Sequence, residues 1–280
     1  MREFKAAAVQ MRSGMSVDAN LSEAERLIRE AAAAGAEYVL TPEMTNILCR
    51  DREALLAAVS PEEGNSELGR FAALAAALGI HLHIGSMAVR LGPGAVANRA
   101  YLIGPDGEVV TRYDKIHMFD VSLPNGESYR ESALYRPGAE AVVADLPFAR
   151  LGLAVCYDVR FPQLFQALAT SGASVLAVPA AFTRTTGEAH WHVLLRARAI
   201  ETGSFVVAAA QGGHHEDGRD TYGHSMIVDP WGRILAEAGT EPGVILATID
   251  PAESGEARAR IPALANRRDF AAPRLAPAVA

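Results

Sequence analysis

Short apolar runs alternate with amphipathic segments along most of the chain. Phe4 to Met11 predicts a β-strand. The next segment predicts a helix with Asn20 as its N-cap, Glu23 as the capping-box partner and Gly35 at its end. Its apolar residues recur at helical spacing and form one stripe: Leu21, Ala24, Leu27, Ile28 and Ala31. The chain therefore opens with a strand followed by a helix that packs one face on a core.

The same alternation continues to the end of the chain. Further strands are predicted over Glu37 to Leu40, Ile80 to Val89, Leu151 to Val155, Ser174 to Val178, Phe205 to Ala210, Ser225 to Val228, Ile234 to Glu237 and Val244 to Ile249. Further helices are predicted over Ser66 to Leu78, Phe161 to Thr170 and Glu188 to Glu201, the first of them ending at Gly79. Helix-crossed strands without a linker or a strong internal repeat predict one α/β domain with helices outside two sheets.

The middle of the chain follows another pattern. Asn98 to Ile103 and Glu108 to Arg112 flank a Pro-Asp-Gly turn and predict a β-hairpin. A polar stretch from Asp120 to Pro137 follows, and loops of this length are often functional. The Ala- and Pro-rich stretch from Ala271 to Ala280 predicts a loose tail.

Composition narrows the class of protein. Half of the 280 residues are hydrophobic, and the net charge of −7 argues against nucleic acid as the default partner, since phosphate binding needs a basic face. No apolar run approaches the roughly 18–20 residues of a membrane helix, and no signal peptide is evident. Two cysteines at unrelated positions fit a reducing compartment. We expect a soluble, cytoplasmic protein that binds a small molecule and neither membrane nor nucleic acid.

Three chemically reactive residues, Glu43, Lys115 and Cys156, each lie at or just past the end of an apolar strand. In layered α/β folds, binding sites collect at the carboxyl ends of strands. Cys156 ends a buried strand and is followed by a turn and a helix, which exposes the thiol and can aim the Tyr157 backbone N–H at an oxyanion. A cysteine without that context is more often a buried structural residue.

The glutamate and lysine candidates also have non-catalytic explanations. Glu43 can act as general base toward a thiol, although an isolated glutamate is more often a surface residue. Lys115 can stabilise an oxyanion, or it can be a solvated cation paired with Asp114 or Asp120. Glu131 is a second candidate carboxylate that alone indicates nothing.

Together and in this order, these residues resemble the nitrilase (carbon–nitrogen hydrolase) superfamily. The resemblance covers roughly Phe4 to Phe270 and rests on three specific motifs: Thr41-Pro42-Glu43, Lys115 to Asp120 and Cys156 to Pro162. Two later segments, His190 to Glu201 and Gly223 to Gly232, resemble the Nit subgroup. Ala208 to Gln211 with the His-rich stretch after it is most similar to the deaminated-glutathione amidases, and the ω-amidases come second.

The resemblance implies a fold and a set of partners. The fold would be a four-layer α-β-β-α sandwich in one domain over residues 1–270. Neither a metal nor an organic cofactor is implied. The paired histidines have no suitable set of further ligands nearby in sequence, so they do not indicate zinc: His81 and His83, His190 and His192, His214 and His215. A homodimer or larger homo-oligomer is implied by the resemblance alone.

The resemblance also implies roles. Glu43 would be the base, Cys156 the nucleophile, Lys115 and the Tyr157 N–H the oxyanion donors, and Glu131 the supporting carboxylate. The implied substrate contacts are Arg160, Phe182 and Thr186. Arg160 would clamp a substrate carboxylate, with a structural arginine paired to an acid as an equal alternative. The implied reaction cleaves a small carboxylate-bearing amide, such as a deaminated glutathione, to acid plus ammonia through a Cys156 thioester.

Several departures from the family pattern leave the substrate open. Glu188 stands where many relatives have proline, Met118 replaces a more usual Leu or Phe, and the loop from Leu123 to Ser128 is individual. The alternatives are an ω-amidase acting on 2-oxoglutaramate, an N-carbamoyl amino acid hydrolase and a true nitrilase. Outside the enzyme class, a catalytically silent scaffold of the same fold is the alternative.

Overall fold

The computed structural model describes residues 2–123 and 126–275. The helices are α1 Val17–Ala33, α2 Arg52–Ala58, α3 Ser66–Leu78, α4 Pro162–Thr170, α5 Arg184–Thr202 and α6 Ala252–Arg260. The strands are β1 Phe4–Gln10, β2 Tyr38–Leu40, β3 His81–Gly92, β4 Ala95–Ile103, β5 Val109–Asp114, β6 Asp120–Ser122, β7 Ser128–Arg130, β8 Val142–Asp145, β9 Arg150–Leu153, β10 Val175–Ala177, β11 Phe205–Ala208, β12 Gly212–His214, β13 Asp220–Tyr222, β14 Met226–Val228, β15 Ile234–Glu237 and β16 Gly243–Ile249. Short 3-10 helices cover Glu131–Ala133 and Cys156–Arg160.

Two six-stranded sheets form the middle of the molecule. One has the strand order β16-β1-β2-β3-β4-β5 and the other β15-β14-β11-β10-β9-β8. In each sheet the central strands run parallel and the outer ones are antiparallel: β1, β2 and β3 are parallel, as are β9, β10 and β11. Parallel strands need crossover connections, and helices α1, α3, α4 and α5 supply them.

Alternation along β1 explains how the layers stack. Ala6 and Ala8 belong to the core cluster shared with the second sheet, whereas Ala7 and Val9 belong to the cluster under α1 and α3. Because successive side chains of a strand point to opposite faces, one strand contributes to both cores. Helices α4 and α5 cover the outer face of the second sheet. The predicted four-layer α-β-β-α sandwich is confirmed.

The start of α1 differs from the prediction. The helix begins at Val17 with Ser16 as its N-cap, whose Oγ accepts a 3.4 Å hydrogen bond from the Ala19 N–H. Asn20 therefore lies inside the helix and is buried. Its Oδ1 accepts from the Gly14 N–H, and its Nδ2 donates to the carbonyl oxygens of Gly14 and Asn46, each at 2.9 Å. The predicted N-cap at Asn20 is wrong because a tertiary contact uses the side chain that would have capped the helix.

Other boundaries agree with the pattern or extend it. Helix α3 has the predicted bounds, and Gly79 ends it in the left-handed conformation at φ 65°. The polar stretch from Asp120 to Pro137 is not one irregular loop, since β6 and β7 pair within it. Helix α2, helix α6 and strands β8, β12 and β13 were not predicted, because their sequences are short or carry a weak apolar pattern.

Gly85 of β3 brings the two sheets together at one end. A Cβ there would lie 2.0 Å from the Thr41 carbonyl oxygen and 2.4 Å from Cβ of Pro179. Only glycine permits this approach of strand β3 to segments that follow β2 and β10. Both segments carry residues of the site described below.

The predicted tail falls at the edge of the described chain. Residues 271–275 are exposed and form neither helix nor strand, and residues 276–280 lie outside the described residues. Of the individual loop from Leu123 to Ser128, residues 124–125 also lie outside them. Within the part of the chain that the structure describes, no helix has the length and apolar character needed to cross a bilayer.

Candidate active site

The three reactive residues meet at one end of the two sheets. Glu43 follows β2, Lys115 directly follows β5 and Cys156 follows β9. All three are buried. The Lys115 ammonium donates to Oε1 of Glu43 at 2.8 Å and to both carboxylate oxygens of Glu131 at 3.0 and 2.9 Å. The structure thus brings together the four residues that the sequence proposed for catalysis.

Glu43 is held from several directions. Its Oε1 also accepts from the Asn98 amide at 2.8 Å, and its Oε2 accepts from the Ala181 backbone N–H at 2.7 Å. The Cys156 thiol lines the same cavity as this carboxylate, and each group shifts the pKa of the other. A carboxylate fixed in this way beside a thiol can serve as its general base.

The backbone at Cys156 is strained. Its φ is 50°, in the left-handed region that residues with a Cβ rarely adopt. The Cys156 N–H donates to the Pro179 carbonyl at 2.8 Å, which fixes the turn against the end of β10. Strain of this kind persists only where surrounding contacts hold it, and it is common at active sites.

Asp158 stabilises the turn at Cys156 through hydrogen bonds to two neighbouring segments. This fully buried carboxylate accepts from the Val155 N–H at 2.8 Å, the Tyr113 hydroxyl at 2.7 Å and the His117 N–H at 3.0 Å. It ties the segment before Cys156 to the segment that carries Lys115. Asp158 was not predicted to have a role, although its place two residues after the cysteine was a usable signal.

The Tyr157 N–H remains available for a ligand. Among residues 2–123 and 126–275, no backbone or side-chain acceptor pairs with it. It follows directly after the thiol-bearing residue, and the Lys115 ammonium is the second donor of the site. When the sulfur adds to an amide carbonyl carbon, the carbonyl oxygen becomes an oxyanion. The Tyr157 N–H and the Lys115 ammonium are the two donors that would stabilise that oxyanion.

Charges set the protonation states of the site. Burial alone would raise the pKa of Glu43, but the Lys115 charge and hydrogen bonds from Cys156, Lys115 and Asn98 outweigh it and lower that pKa. Burial likewise opposes the charge on Lys115, yet the Glu131 and Glu43 carboxylates raise its pKa well above the ordinary value. Burial and then the Glu43 charge raise the pKa of the Cys156 thiol. The resting site therefore holds a carboxylate, an ammonium and a protonated thiol.

These directions predict a broad pH profile. We expect kcat/KM to keep its plateau down to the ordinary glutamate pKa of 4.5 and to fall only below it, because the Glu43 pKa is lowered. The thiol should add no alkaline limb below its ordinary pKa of 9.0, because the Cys156 pKa is raised. Initial rates across this range, with circular dichroism to confirm folding, test both limbs. An acid limb at about pH 6–7 in folded protein would contradict the lowered Glu43 pKa.

A cavity of about 310 Å³ opens over these residues. Glu43, Lys115, Glu131, Cys156 and Tyr157 all line it. Two of the three implied substrate contacts, Phe182 and Thr186, line it as well. Its volume suits a small organic molecule.

Arg160 is placed differently from the expectation. It is not among the cavity-lining residues. Its guanidinium carbon lies 5.1 Å from the centroid of the Phe182 ring and 5.9 Å from that of Tyr157, and two of its nitrogens lie 3.3 Å from Nδ1 of His190. Among the described residues it has no carboxylate partner. In this arrangement Arg160 packs against two rings that line the cavity, and its role as a substrate clamp stays a prediction.

The sequence matches a known family over most of its length. A family model described as carbon-nitrogen hydrolase matches residues 5–259. The chain belongs to the carbon–nitrogen hydrolase family. The expected superfamily resemblance is confirmed.

Individual relatives of this carbon–nitrogen hydrolase carry amidase names. A deaminated glutathione amidase from Synechocystis sp. is 43% identical over 274 residues, covering 95% of this chain and 99% of the relative. An omega-amidase from Homo sapiens is 35% identical over 269 residues, covering 96% of each. A solved mutant of the amidase from Nesterenkonia sp. AN1 superposes with a TM-score of 0.80 at 28% identity, covering 95% of this chain and 94% of that one. That mutant carries the acetamide moiety of fluoroacetamide added covalently at its active site cysteine.

Two residues around the carboxylates of this carbon–nitrogen hydrolase were missed from sequence. Asn98 donates to Glu43 and, at 3.1 Å, to Glu131, so it joins both acids. Gln211 donates to the Glu43 carbonyl at 3.0 Å and so fixes the backbone that presents the acid. A lone amide in the otherwise apolar inner part of strand β4 was the available signal for Asn98.

One group of residues in the described part of this hydrolase has the composition of a metal site. His192, His224 and Glu237 place their ligand atoms within 4.8 Å of one another. Both histidines, however, lie 2.8 Å from the same oxygen, Oε1 of Glu237, in hydrogen-bonding geometry. None of the three lines the catalytic cavity. The arrangement is accounted for by hydrogen bonds that tie α5 to β15.

Proposed function

We propose that the protein is a thiol amidohydrolase that cleaves a small carboxylate-bearing amide, with a deaminated glutathione-like compound as the leading substrate. The observation that carries the proposal is that the Cys156 thiol, the Glu43 carboxylate and the Lys115 ammonium line one cavity, with the ammonium 2.8 Å from that carboxylate. Family membership and the amidase names of its relatives support the same reaction class.

The acylation step follows from the protonation states. Glu43 takes the thiol proton as the sulfur attacks the amide carbonyl and a C–S bond forms. The Lys115 ammonium and the Tyr157 N–H stabilise the oxyanion. Glu43 then gives the proton to the amide nitrogen, the C–N bond breaks, and a thioester remains on Cys156.

Deacylation uses the same carboxylate in reverse. A water molecule gives a proton to Glu43 while its oxygen adds to the thioester carbonyl. The C–S bond breaks, the acid leaves and the proton returns to sulfur. Glu131 keeps Lys115 in place, since it binds the ammonium through both carboxylate oxygens.

The leaving group depends on the amide. A primary amide releases ammonia, whereas the amide bonds of a deaminated glutathione join two residues and release an amine. The expectation of ammonia therefore applies to an ω-amide such as 2-oxoglutaramate. An assay must follow the acid product as well as ammonia.

A substrate panel tests the proposal. We expect kcat/KM to be highest for a carboxylate-bearing amide when deaminated glutathione, 2-oxoglutaramate, an N-carbamoyl amino acid and a simple nitrile are compared by mass spectrometry of the products. Faster turnover of the nitrile than of every amide would reject the proposed substrate class. Absence of all turnover, together with a Cys156 thiol that iodoacetamide does not alkylate in the folded protein, would favour the silent scaffold.

Three further expectations stay predictions. The absence of a metal or organic cofactor fits a site whose acid, base and oxyanion donors are all side-chain or backbone groups. A homodimer or larger homo-oligomer is testable by light scattering. Cytoplasmic location rests on the use of cysteine, since both Cys49 and Cys156 are free thiols.

A further inference from the structure

The charges that line the cavity do not balance. Four lining residues are cationic and two are acidic. Both acids, Glu43 and Glu131, bind the Lys115 ammonium, so their charges are already used. The remaining cations are Arg50, Arg130 and Arg219. This local excess of positive charge, with Arg50 and Arg130 exposed and Arg219 half-buried, contrasts with the protein's net charge of −7.

Arg50 is the least balanced of the three. It follows Cys49 in the connection between β2 and α2. One of its nitrogens donates to the Tyr129 hydroxyl at 2.9 Å, and its guanidinium carbon lies 5.3 Å from the centroid of the Tyr129 ring. Among the described residues it forms no direct ion pair, although the Glu127 carboxylate accepts from the same Tyr129 hydroxyl at 3.2 Å. A guanidinium has five N–H donors, so most of the Arg50 donors are left for a ligand.

The other two arginines have acidic neighbours. Arg219 donates to the largely buried Asp217 at 2.8 Å, which fixes its orientation. Arg130 lies opposite Asp120 in the β6–β7 pair, and its charge helps to lower the pKa of Asp120. Arg219 nevertheless lines the same cavity as Arg50. The charges of both arginines oppose the rise that burial and the Glu127 charge cause in the pKa of the Tyr129 phenol.

We propose that Arg50, supported by the fixed charge of Arg219, binds a carboxylate of the substrate and so selects anionic over neutral amides. The inference rests on the proposed amide hydrolysis and adds Arg50 to the residues predicted to set its specificity. A guanidinium pairs with a carboxylate through two parallel hydrogen bonds, which a neutral carboxamide cannot match. The ring of Tyr129 holds Arg50 in place, which limits the conformational entropy lost on binding.

Matched substrate pairs test this role. Glutaramate and its neutral diamide, glutaramide, differ by one charge on the acyl side of the scissile amide. N-butyrylglycine and N-butyrylglycinamide differ by one charge on the leaving-group side. We expect Arg50→Gln to lower kcat/KM about 10- to 100-fold for the anionic member of one pair, mainly through KM, and less than about 2-fold for its neutral partner. The pair that responds identifies which side of the amide carries the recognised carboxylate.

Two further variants control for charge and position. Arg52→Gln removes an exposed arginine two residues away that does not line the cavity, and it should leave the charge preference unchanged. Arg50→Lys keeps the charge without the planar fork and should give an intermediate KM. If Arg50→Gln slows the charged and neutral members of both pairs equally, or changes neither, Arg50 does not read charge and the inference is overturned.

A binding measurement separates this inference from the proposed function. Glutarate, a dicarboxylate without an amide, is titrated into Cys156→Ala protein by calorimetry, with and without Arg50→Gln. We expect Arg50→Gln to weaken glutarate binding about 10-fold or more. Glutarate binding that depends on Arg50, when the protein with Cys156 intact hydrolyses no amide of either pair, would refute the proposed function and support the anion site. Amide hydrolysis with no effect of Arg50→Gln on either charge preference or glutarate binding would support the proposed function and overturn the anion site.

Discussion

Replacing Cys156 by alanine is expected to lower amide turnover by about 10⁴- to 10⁶-fold while the protein stays folded. Losses of this size follow removal of a nucleophile that acts as a unit with its base. The substitution removes only one buried sulfur, and the bond network of Glu43 with Lys115, Asn98 and the Ala181 N–H remains. Turnover of the best substrate of the panel and circular dichroism of both proteins are the measurements.

Cys49 is a matched control for this experiment. Both cysteines are buried, free and among the residues that line the cavity. Among the described residues the Cys49 sulfur donates to the Asp51 carbonyl, and the charges that act on it are those of Asp217, Asp51 and Arg219 instead of Glu43 and Lys115. Cys49→Ala should therefore cost less than about 10-fold in turnover. Retention of more than about 1% activity in Cys156→Ala, or inactivation by Cys49→Ala instead, would assign the nucleophile elsewhere.

Lys115→Met is expected to reduce both turnover and stability. Turnover should fall by at least about 10²- to 10³-fold, because an oxyanion donor is lost. The free energy of unfolding at pH 7 should fall by about 3–5 kcal/mol, because the buried carboxylate of Glu43 and the partly buried one of Glu131 lose the cation between them. Turnover and urea denaturation measure the two effects.

The stability loss should depend on pH with a defined sign. In the native protein the Glu43 pKa is lowered, so its contribution to stability is present above the unfolded value of 4.5 and lost as the pH falls through the folded value. Without Lys115, burial raises the Glu43 pKa, and the variant then loses stability as the pH rises above the unfolded value. The deficit of Lys115→Met should accordingly be larger at pH 7 than near pH 4.5. A deficit that grows on acidification would contradict the charge argument.

The chain offers controls for the lysine as well. Lys5 is the other lysine in the sequence, and its ammonium donates only to the Ala34 carbonyl among the described residues. Lys5→Met should change the unfolding free energy by less than about 1 kcal/mol. The double variant Lys115→Met, Glu43→Gln should recover part of the stability without activity, since one uncompensated charge is gone.

Much of the fold was predictable because local patterns and tertiary packing agree. The apolar stripe of α1 from Leu21 to Ala31 is buried, and Gly79 ends α3 as predicted. The parallel strands have the apolar runs that burial on both faces requires. The prediction failed where side chains serve distant contacts. Asn20 does not cap α1 because it bonds the backbone near Asn46, a contact between segments 26 residues apart in sequence.

The residues of the candidate site were likewise predictable only in part. Glu43, Lys115 and Cys156 were found because each follows an apolar strand, and strand ends meet at one edge of a sheet. Asn98 and Asp158 were given no role from sequence because their contributions depend on hydrogen bonds to residues of other segments, Glu43 for Asn98 and Tyr113 for Asp158. Arg160 was expected in the cavity from family resemblance, and its packing on Phe182 could not be read from the sequence.

The sequence by itself determined the layers, the order of the reactive residues and the chemical types available for catalysis. These follow from hydrophobic periodicity and from residue type, which are properties of local segments. The tertiary structure alone decided that the acids share one ammonium, that the thiol keeps its proton, and that Arg50 lines the cavity while Arg160 does not. Those outcomes depend on distances and on burial between segments far apart in the chain, because charge interactions and desolvation are set by what surrounds a group in space.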